Sequence, residues 1–372
     1  MSFRIATVSL ARNPEKPTQN PDGHILNMLG QNSGNLMFTE AMFQLFDADV
    51  ERIGFRFSPD MINSNFDAVV IPAANWLNAN ADWDLLTEQV EKLSVPVVLI
   101  GIGLQANSRT LQDVRVSDSA IRFVRLLSER SPYISVRGDF TRTWLESIGI
   151  RNAVTTGCPS LFMNVFKTER QPDERRFALQ GTRYSASAAF NNKRSAEKHI
   201  FASAARLKMP IIYQSESEES RRLLVGQPVA SHAAPVVSAL LDLYGVSSAD
   251  ELDTFVDEYG KIFFNLFTWS DFVAGLYGVV GSRLHGTIIA LNTGVRALLY
   301  GHDSRTQEVI EYAALPGISK SRILSLRTVD DYLSALNDAP IEMYYDRRAE
   351  NQAKFQQFLR NVGLPYRPEA MF

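Results

Sequence analysis

The sequence predicts an α/β protein of two domains, each a parallel sheet covered by helices, with a cleft between them. Three observations predict it. Short β-branched runs closed by turn residues alternate with amphipathic stretches of helical length, the βαβ rhythm of sheets buried on both faces. The chain has 372 residues, 45% of them hydrophobic, which is too long for one small core and comfortable for two. Late strand-to-helix turns carry cationic and titratable side chains, and such turns are where α/β proteins place anions and chemistry.

Residues 2–10 read as a first strand, followed by a polar, proline-containing loop at 13–23. The turn from Gly30 to Asn35 enters an amphipathic helix. Gly34 would give close backbone approach and Asn35 a side-chain amide to an anion, and a plain helix start capped by Asn or Ser fits the same letters. A buried strand at 68–71 ends in Pro72-Ala73-Ala74-Asn75-Trp76, and a helix is expected over 83–93. The strand at 95–100 ends in Gly101-Ile102-Gly103-Leu104-Gln105, part of a dinucleotide fingerprint without its third glycine. A helix at 120–130 leads to a strand ending at Arg137, then to a helix through Trp144, Leu145 and Ile148. A guanidinium at that strand end can grip a carboxylate or phosphate with two parallel bonds, or pair with Asp139.

The charged, proline-containing stretch 167–176 sets the domain boundary near Gln171, giving an N-terminal α/β domain over 1–170 and a C-terminal one over 171–340. The second begins with a strand from Phe177, a helix over 196–207 and a strand over 210–213. Glu216, Glu218 and Glu219 follow; with no histidine clustered beside them, they read as a solvated helix start rather than a metal site. Residues 227–261 read as helices and loops in a position to contact an acceptor. The helical pattern at 344–359 suggests that 341–372 packs back on the first domain.

The most informative stretch is Val279-Val280-Gly281-Ser282-Arg283-Leu284-His285-Gly286-Thr287, where a hydrophobic strand turns into a helix. Ser282 is placed to cap that helix, and Arg283 and His285 fall in or beside its first turn, where free N–H groups favour an anion. A plain alternative makes Ser282 an ordinary cap, Arg283 a surface charge and His285 a packing residue. A second unit follows at once: a strand over 295–300, then Gly301-His302-Asp303-Ser304-Arg305-Thr306-Gln307-Glu308. Two consecutive strand ends would meet at one cleft, with His302 as a second catalytic candidate. Ser304 with Gln307 reads as a capping box.

Composition narrows the class. A net charge of −3 with dispersed basic residues argues against a nucleic-acid partner held by phosphate neutralisation. The single cysteine, Cys158, excludes an intramolecular disulfide and points to a reducing compartment. A buried, inert thiol before Pro159 is the expectation, ahead of a nucleophile. The N-terminus lacks a signal-peptide pattern, and the greasy stretch 95–104 is too short to span a bilayer. The five histidines lack a ligand-like spacing with each other or with acids, so no metal is expected; nor is a cofactor.

Asn32-Ser33-Gly34-Asn35 entering a helix, Ile134-Ser135-Val136-Arg137, Ser282-Arg283-Leu284-His285-Gly286 and Tyr300 to Glu308 together resemble the polysaccharide pyruvyl transferase family. The most specific part is Arg283-Leu284-His285 with downstream Asp303, Arg305, Thr306 and Glu308. The resemblance implies two Rossmann-like domains, similar to the GT-B glycosyltransferase fold, with phosphoenolpyruvate as donor substrate and a saccharide, free or lipid-linked, as acceptor. The product would be a pyruvate ketal in polysaccharide biosynthesis. His285 and Arg283 would be catalytic, His285 as the acid or base and Arg283 as donor-anion anchor. Arg137, Gly34, Asn35, Asn75, Gln105, Ser282, Leu284, His302, Asp303 and Arg305 would complete the binding site. A cytoplasmic protein, peripheral to the membrane where glycan precursors are built, follows from such an acceptor, and a homo-oligomer stays open. The chain departs from the family at Pro72 to Trp76, where many members carry a glycine-rich loop. A nucleotide-sugar glycosyltransferase of similar fold and a catalytically silent saccharide-binding member are the alternatives.

Overall fold

The computed structural model describes residues 2–12, 14, 24–106, 108–165, 170–183 and 195–371. The loop expected at 13–23, apart from residue 14, and part of the charged stretch at 167–176 lie outside them. The first sheet contains β1 (Arg4–Val8), β2 (Asp49–Ile53), β3 (Ala68–Pro72) and β4 (Val97–Ile100), all parallel, in the order β2-β1-β3-β4. A parallel bridge from Ile102 to Val136 leads on to β5 (Ile134–Val136) and its parallel neighbour β6 (Ala153–Thr155). β3 is buried at every position, as a strand covered on both faces must be. β2 went unread because Asp-Val-Glu-Arg-Ile has no hydrophobic run. It sits at the edge, where Arg4 pairs with Asp49 at 3.6 Å and Glu51 at 3.3 Å.

The second sheet contains β7 (Asp173–Gln180), β8 (Ile211–Tyr213), β9 (Gly260–Ile262), β10 (Leu276–Gly281) and β11 (Arg296–Leu299). It is also all parallel, in the order β11-β10-β7-β8-β9. Each sheet therefore has a single carboxyl edge. Two glycines let the chain close around Gln180: a Cβ on Gly281 would lie 1.8 Å from the Gln180 carbonyl oxygen, and one on Gly286 would lie 1.8 Å from its side-chain oxygen. The Gln180 amide donates to the Arg283 carbonyl at 3.2 Å and to the Thr287 hydroxyl at 3.1 Å, which fixes the first turn of the helix Leu284–Asn292 against the sheet.

Two helix starts differ from expectation. Ser282 does not cap: its N–H donates to the Gln180 carbonyl at 2.8 Å, so it still belongs to the strand edge, and its hydroxyl donates to Thr182 at 3.0 Å. Arg283 occupies the cap position without a side-chain cap bond. The capping box after β11 is made by Asp303 and Thr306 rather than Ser304 and Gln307, because Asp303 is extended and the helix begins at Ser304. The freed Ser304 hydroxyl crosses to the first half of the chain, donating to the Leu104 carbonyl at 3.2 Å and accepting from the Ala106 N–H at 3.0 Å.

The C-terminal helix Ile341–Asn361 lies against both halves. Arg348 donates to the Leu161 carbonyl at 2.8 Å, Tyr344 donates to Asn292 at 2.8 Å, and Phe355 stacks on Phe162 at 5.0 Å. Bridges from Phe46 to Tyr366 and from Met163 to Met371 fasten the segment after it.

Candidate functional site

A cavity of about 410 Å³ lies where the carboxyl edges of the two sheets meet. Asn35, Asn75, Gln105, Ser282, Arg283, Leu284, His285, His302 and Arg305 all line it, although they are drawn from positions spread over most of the chain. Gly34, Arg137 and Asp303 do not; each stands behind a lining residue. Gly34 is there because nothing larger fits: its Cβ would lie 2.3 Å from Gln214 Oε1 and 3.2 Å from His285 Nδ1. Asn32 ties this turn by accepting from the Gly34 N–H at 2.9 Å, and no side chain caps the helix that follows. Asn75 donates its amide to Gln105. Trp76 stacks on Trp83 at 4.1 Å, so the Pro72 to Trp76 turn is anchored by aromatic packing.

Arg283 is not a surface charge. Its Nε donates to the Gly181 carbonyl at 2.9 Å, and Nη2 donates to the Ser215 hydroxyl and to Glu216. Nη1 has no hydrogen bond to a described residue. Glu216 also accepts from the Gln214 and Ser215 N–H groups at 2.8 and 3.0 Å and from the Arg183 N–H at 3.2 Å. Burial works to raise its pKa, but Arg283, these N–H groups and Arg183 together hold it below the usual range. Arg183 in turn binds Glu218 at 2.7 Å and Glu219. The acidic cluster expected as a solvated helix start is therefore an ion network in which Glu216 and Glu219 are buried. Its cations are supplied by strand ends distant in sequence.

His285 is also buried, with its ring 5.7 Å from that of Phe38. Burial, then Arg137 and Arg305, push its pKa well below the ordinary value, so the imidazole is neutral before a ligand arrives. A bound anion would offset the two cations and restore the proton's affinity. Arg137 does not pair with Asp139, which instead accepts from Arg142 at 3.2 Å and Thr155 at 2.7 Å. Arg137 is fully buried, donates to the Gly101 and Ala73 carbonyls at 2.8 and 3.2 Å, and leaves Nη1 without a partner among the described residues. Its positive charge is one of the two that help hold the His285 pKa down.

His302 Nε2 lies 3.7 Å from Asp303, which also pairs with Arg305 at 3.4 Å. Burial raises the Asp303 pKa, but Arg305, His302 and Thr306 outweigh it and hold the carboxyl at about 2. Burial holds His302 down at about 4, against an ordinary value of 6.5. Across that window the unfolded chain takes up a proton that the folded protein refuses, so stability is lost as the pH falls. The loss expected from His302 is about 3 kcal/mol at the lower end of the window. Urea midpoints measured against pH should fall less steeply in His302→Gln; an identical slope would rule the histidine out.

Sequence reasoning missed Arg183, Gln214, Ser215 and Glu216. The rule that found Arg137 and Arg283 would have found them, since Thr182-Arg183 follows β7 and Gln214-Ser215-Glu216 follows β8. Residues 227–261, read as helices and loops that could contact an acceptor, contribute nothing to the lining; their helices Ala234–Tyr244 and Ala249–Tyr259 pack against the second sheet's own helices.

No curated protein matches the chain significantly. Solved structures that align over nearly its whole length include the UDP-N-acetylglucosamine 2-epimerase of Rickettsia bellii, at 12% identity and a TM-score of 0.47, covering 97% of this chain and 96% of that one. HepE of Anabaena, in complex with UDP and glucose, aligns at 9% identity and a TM-score of 0.49, covering 97% and 99%. The polysaccharide pyruvyl transferase family model matches residues 32–304, which takes in all twelve expected site residues except Arg305, and the chain belongs to that family.

Proposed function

We propose that the protein transfers a pyruvyl group from phosphoenolpyruvate to two hydroxyls of a saccharide, forming a ketal. The observation that carries this reading is how charge divides across the cavity. The wall from the first half of the chain, Gly30, Gln31, Asn32, Asn35, Ala74, Asn75 and Gln105, holds no charged group. The wall from the second half brings the guanidinium groups of Arg183, Arg283 and Arg305, with the imidazoles of His285 and His302 beside them. Amides suit the hydroxyls of a neutral acceptor, and guanidinium groups suit a small, densely anionic donor.

In the reaction one hydroxyl adds to C2 of the enol as its proton leaves, C3 gains a proton, and the C2–O bond to phosphate breaks. The second hydroxyl then adds to C2, and its proton leaves with the phosphate. His285, neutral and buried beside the cations, is suited to take the first hydroxyl's proton and return it toward C3. Arg283, fixed by Glu216 with Nη1 left over, is suited to receive a donor oxygen. The test is phosphate release from phosphoenolpyruvate across a panel of free, nucleotide-linked and lipid-linked sugars. Acceptor-dependent release is expected, and none with any acceptor would overturn the reading.

A second reading is a nucleotide-sugar enzyme, favoured by the same three arginines, which would also take a diphosphate. In thermal-shift measurements, protection by UDP and not by phosphoenolpyruvate would favour it. Saccharide binding with no turnover of either donor would instead mark a silent member. Among the described residues no helix is long and apolar enough to cross a membrane, so a lipid-linked acceptor would be met at a surface.

A further inference from the structure

The two ring nitrogens of His285 have different surroundings. Nε2 faces Cys158, whose sulfur lies 3.7 Å away and 3.0 Å from the Ser160 hydroxyl. Cys158 and Ser160 are both fully buried. Nδ1 makes no hydrogen bond to a described residue. It is the His285 atom nearest the point where a Gly34 side chain would begin, and the amide of Gln214, a lining residue, is beside the same point.

The thiol is held from several directions. Cys158 precedes the short turn Pro159–Leu161, closed by the Leu161 N–H donating to the Cys158 carbonyl at 3.0 Å. Asn292, on the helix that carries His285, donates to the Ser160 carbonyl at 3.0 Å, and Arg348 donates to the Leu161 carbonyl. The sulfur and the imidazole are thus fixed to one another by backbone contacts independent of their own weak bond.

We propose that Cys158 is a positioning residue for His285: its sulfur accepts the Nε2 proton on the buried side, so that Nδ1 carries the lone pair that exchanges a proton in the cavity. Which nitrogen of a histidine works is set by what engages the other. Here a soft sulfur fills the place that a carboxylate takes in a hydrolytic triad and orients the ring. In the transfer reaction Nδ1 takes the attacking hydroxyl's proton as the C–O bond forms and delivers it to C3, which receives the electron pair of the C2–C3 double bond. This assignment rests on the proposed chemistry only for its kinetic consequence, since the tautomer can be read without turnover.

Histidine nitrogen chemical shifts in ¹⁵N-labelled protein, assigned by the signal lost in His285→Gln, provide the test. The unliganded protein is expected to show one neutral tautomer with the proton on Nε2, and Cys158→Ala a mixture of the two. A proton on Nδ1 in the unsubstituted protein would overturn the proposal without any variant having to fold, and an unchanged tautomer in Cys158→Ala would overturn it too. Where phosphate release is observed, Cys158→Ala should lower kcat about tenfold, leave KM in place and move the His285 limb of the pH profile, with Cys158→Ser between the two. A lower thermal midpoint with an unmoved pH profile would reduce Cys158 to a packing residue. Failure of phosphoenolpyruvate as donor, with the tautomer result intact, would count against the proposed reaction and not against the positioning role.

Discussion

Replacing His285 with alanine is expected to lower kcat for phosphate release by about 10²–10⁴-fold, the range a well-placed general acid or base contributes. KM for phosphoenolpyruvate should change little, because the anion is proposed to bind to guanidinium groups rather than to a ring that is neutral in the free protein. The substitution also opens space beside Phe38 and Gln214, so His285→Gln is the better-filled companion variant. If either variant keeps full activity, His285 has no part in the chemistry. The pH profile gives an independent check: with the ring's affinity for a proton lowered by burial, Arg137 and Arg305, the acidic limb of kcat/KM should lie below the ordinary histidine range.

Arg283→Met should have the largest effect on stability. It leaves the Glu216 carboxylate fully buried with its main cation gone, the situation that typically costs about 3–5 kcal/mol. Arg183 remains nearby, but it already serves Glu218 and Glu219 and cannot turn to Glu216 without abandoning them. The double variant Arg283→Met with Glu216→Gln removes the stranded charge and should recover part of the loss, since replacing both members of a buried pair is far less costly than breaking it. Urea denaturation of the two variants decides the matter. If the single variant loses less than about 1 kcal/mol, the ion pair is no tighter than an exposed one. Both variants should lose donor binding, because neither retains the guanidinium edge facing the cavity, and that separates the stability role from the binding role.

The fold was legible where hydrophobic runs carried it. β3, β4 and β10 announce themselves as short apolar stretches followed by turns, as does β7 from Phe177, although its exposed Asp-Glu-Arg-Arg start was read as part of the charged boundary; the chemistry of Arg283 and His285 follows from their place at such a turn. β2 was hidden because an edge strand needs no apolar run, and β9 because Gly-Lys-Ile is too short to read. Cap positions misled: serine is so favoured at helix starts that Ser282 and Ser304 seemed committed there. The structure uses both hydroxyls for bonds to distant segments that no local pattern encodes. The three glutamates after β8 look solvated by composition; only the sheet topology shows that Arg183 and Arg283 are delivered to them from β7 and β10. Arg137 was found as a strand-end cation, but its depth behind the cavity wall depends on tertiary packing.

The C-terminal helix has a consequence for how the protein is handled. The family match ends at residue 304, and a fragment trimmed there would contain Arg283, His285 and His302. It would lack the Arg348 and Tyr344 side chains that grip Leu161 and Asn292, and with them the clamp on the turn that carries Cys158. The contacts along this seam continue to Met371, whose bridge to Met163 closes it. Trimming would also remove Arg305 from the lining, while the seam behind the cavity is closed by side chains that line no part of it.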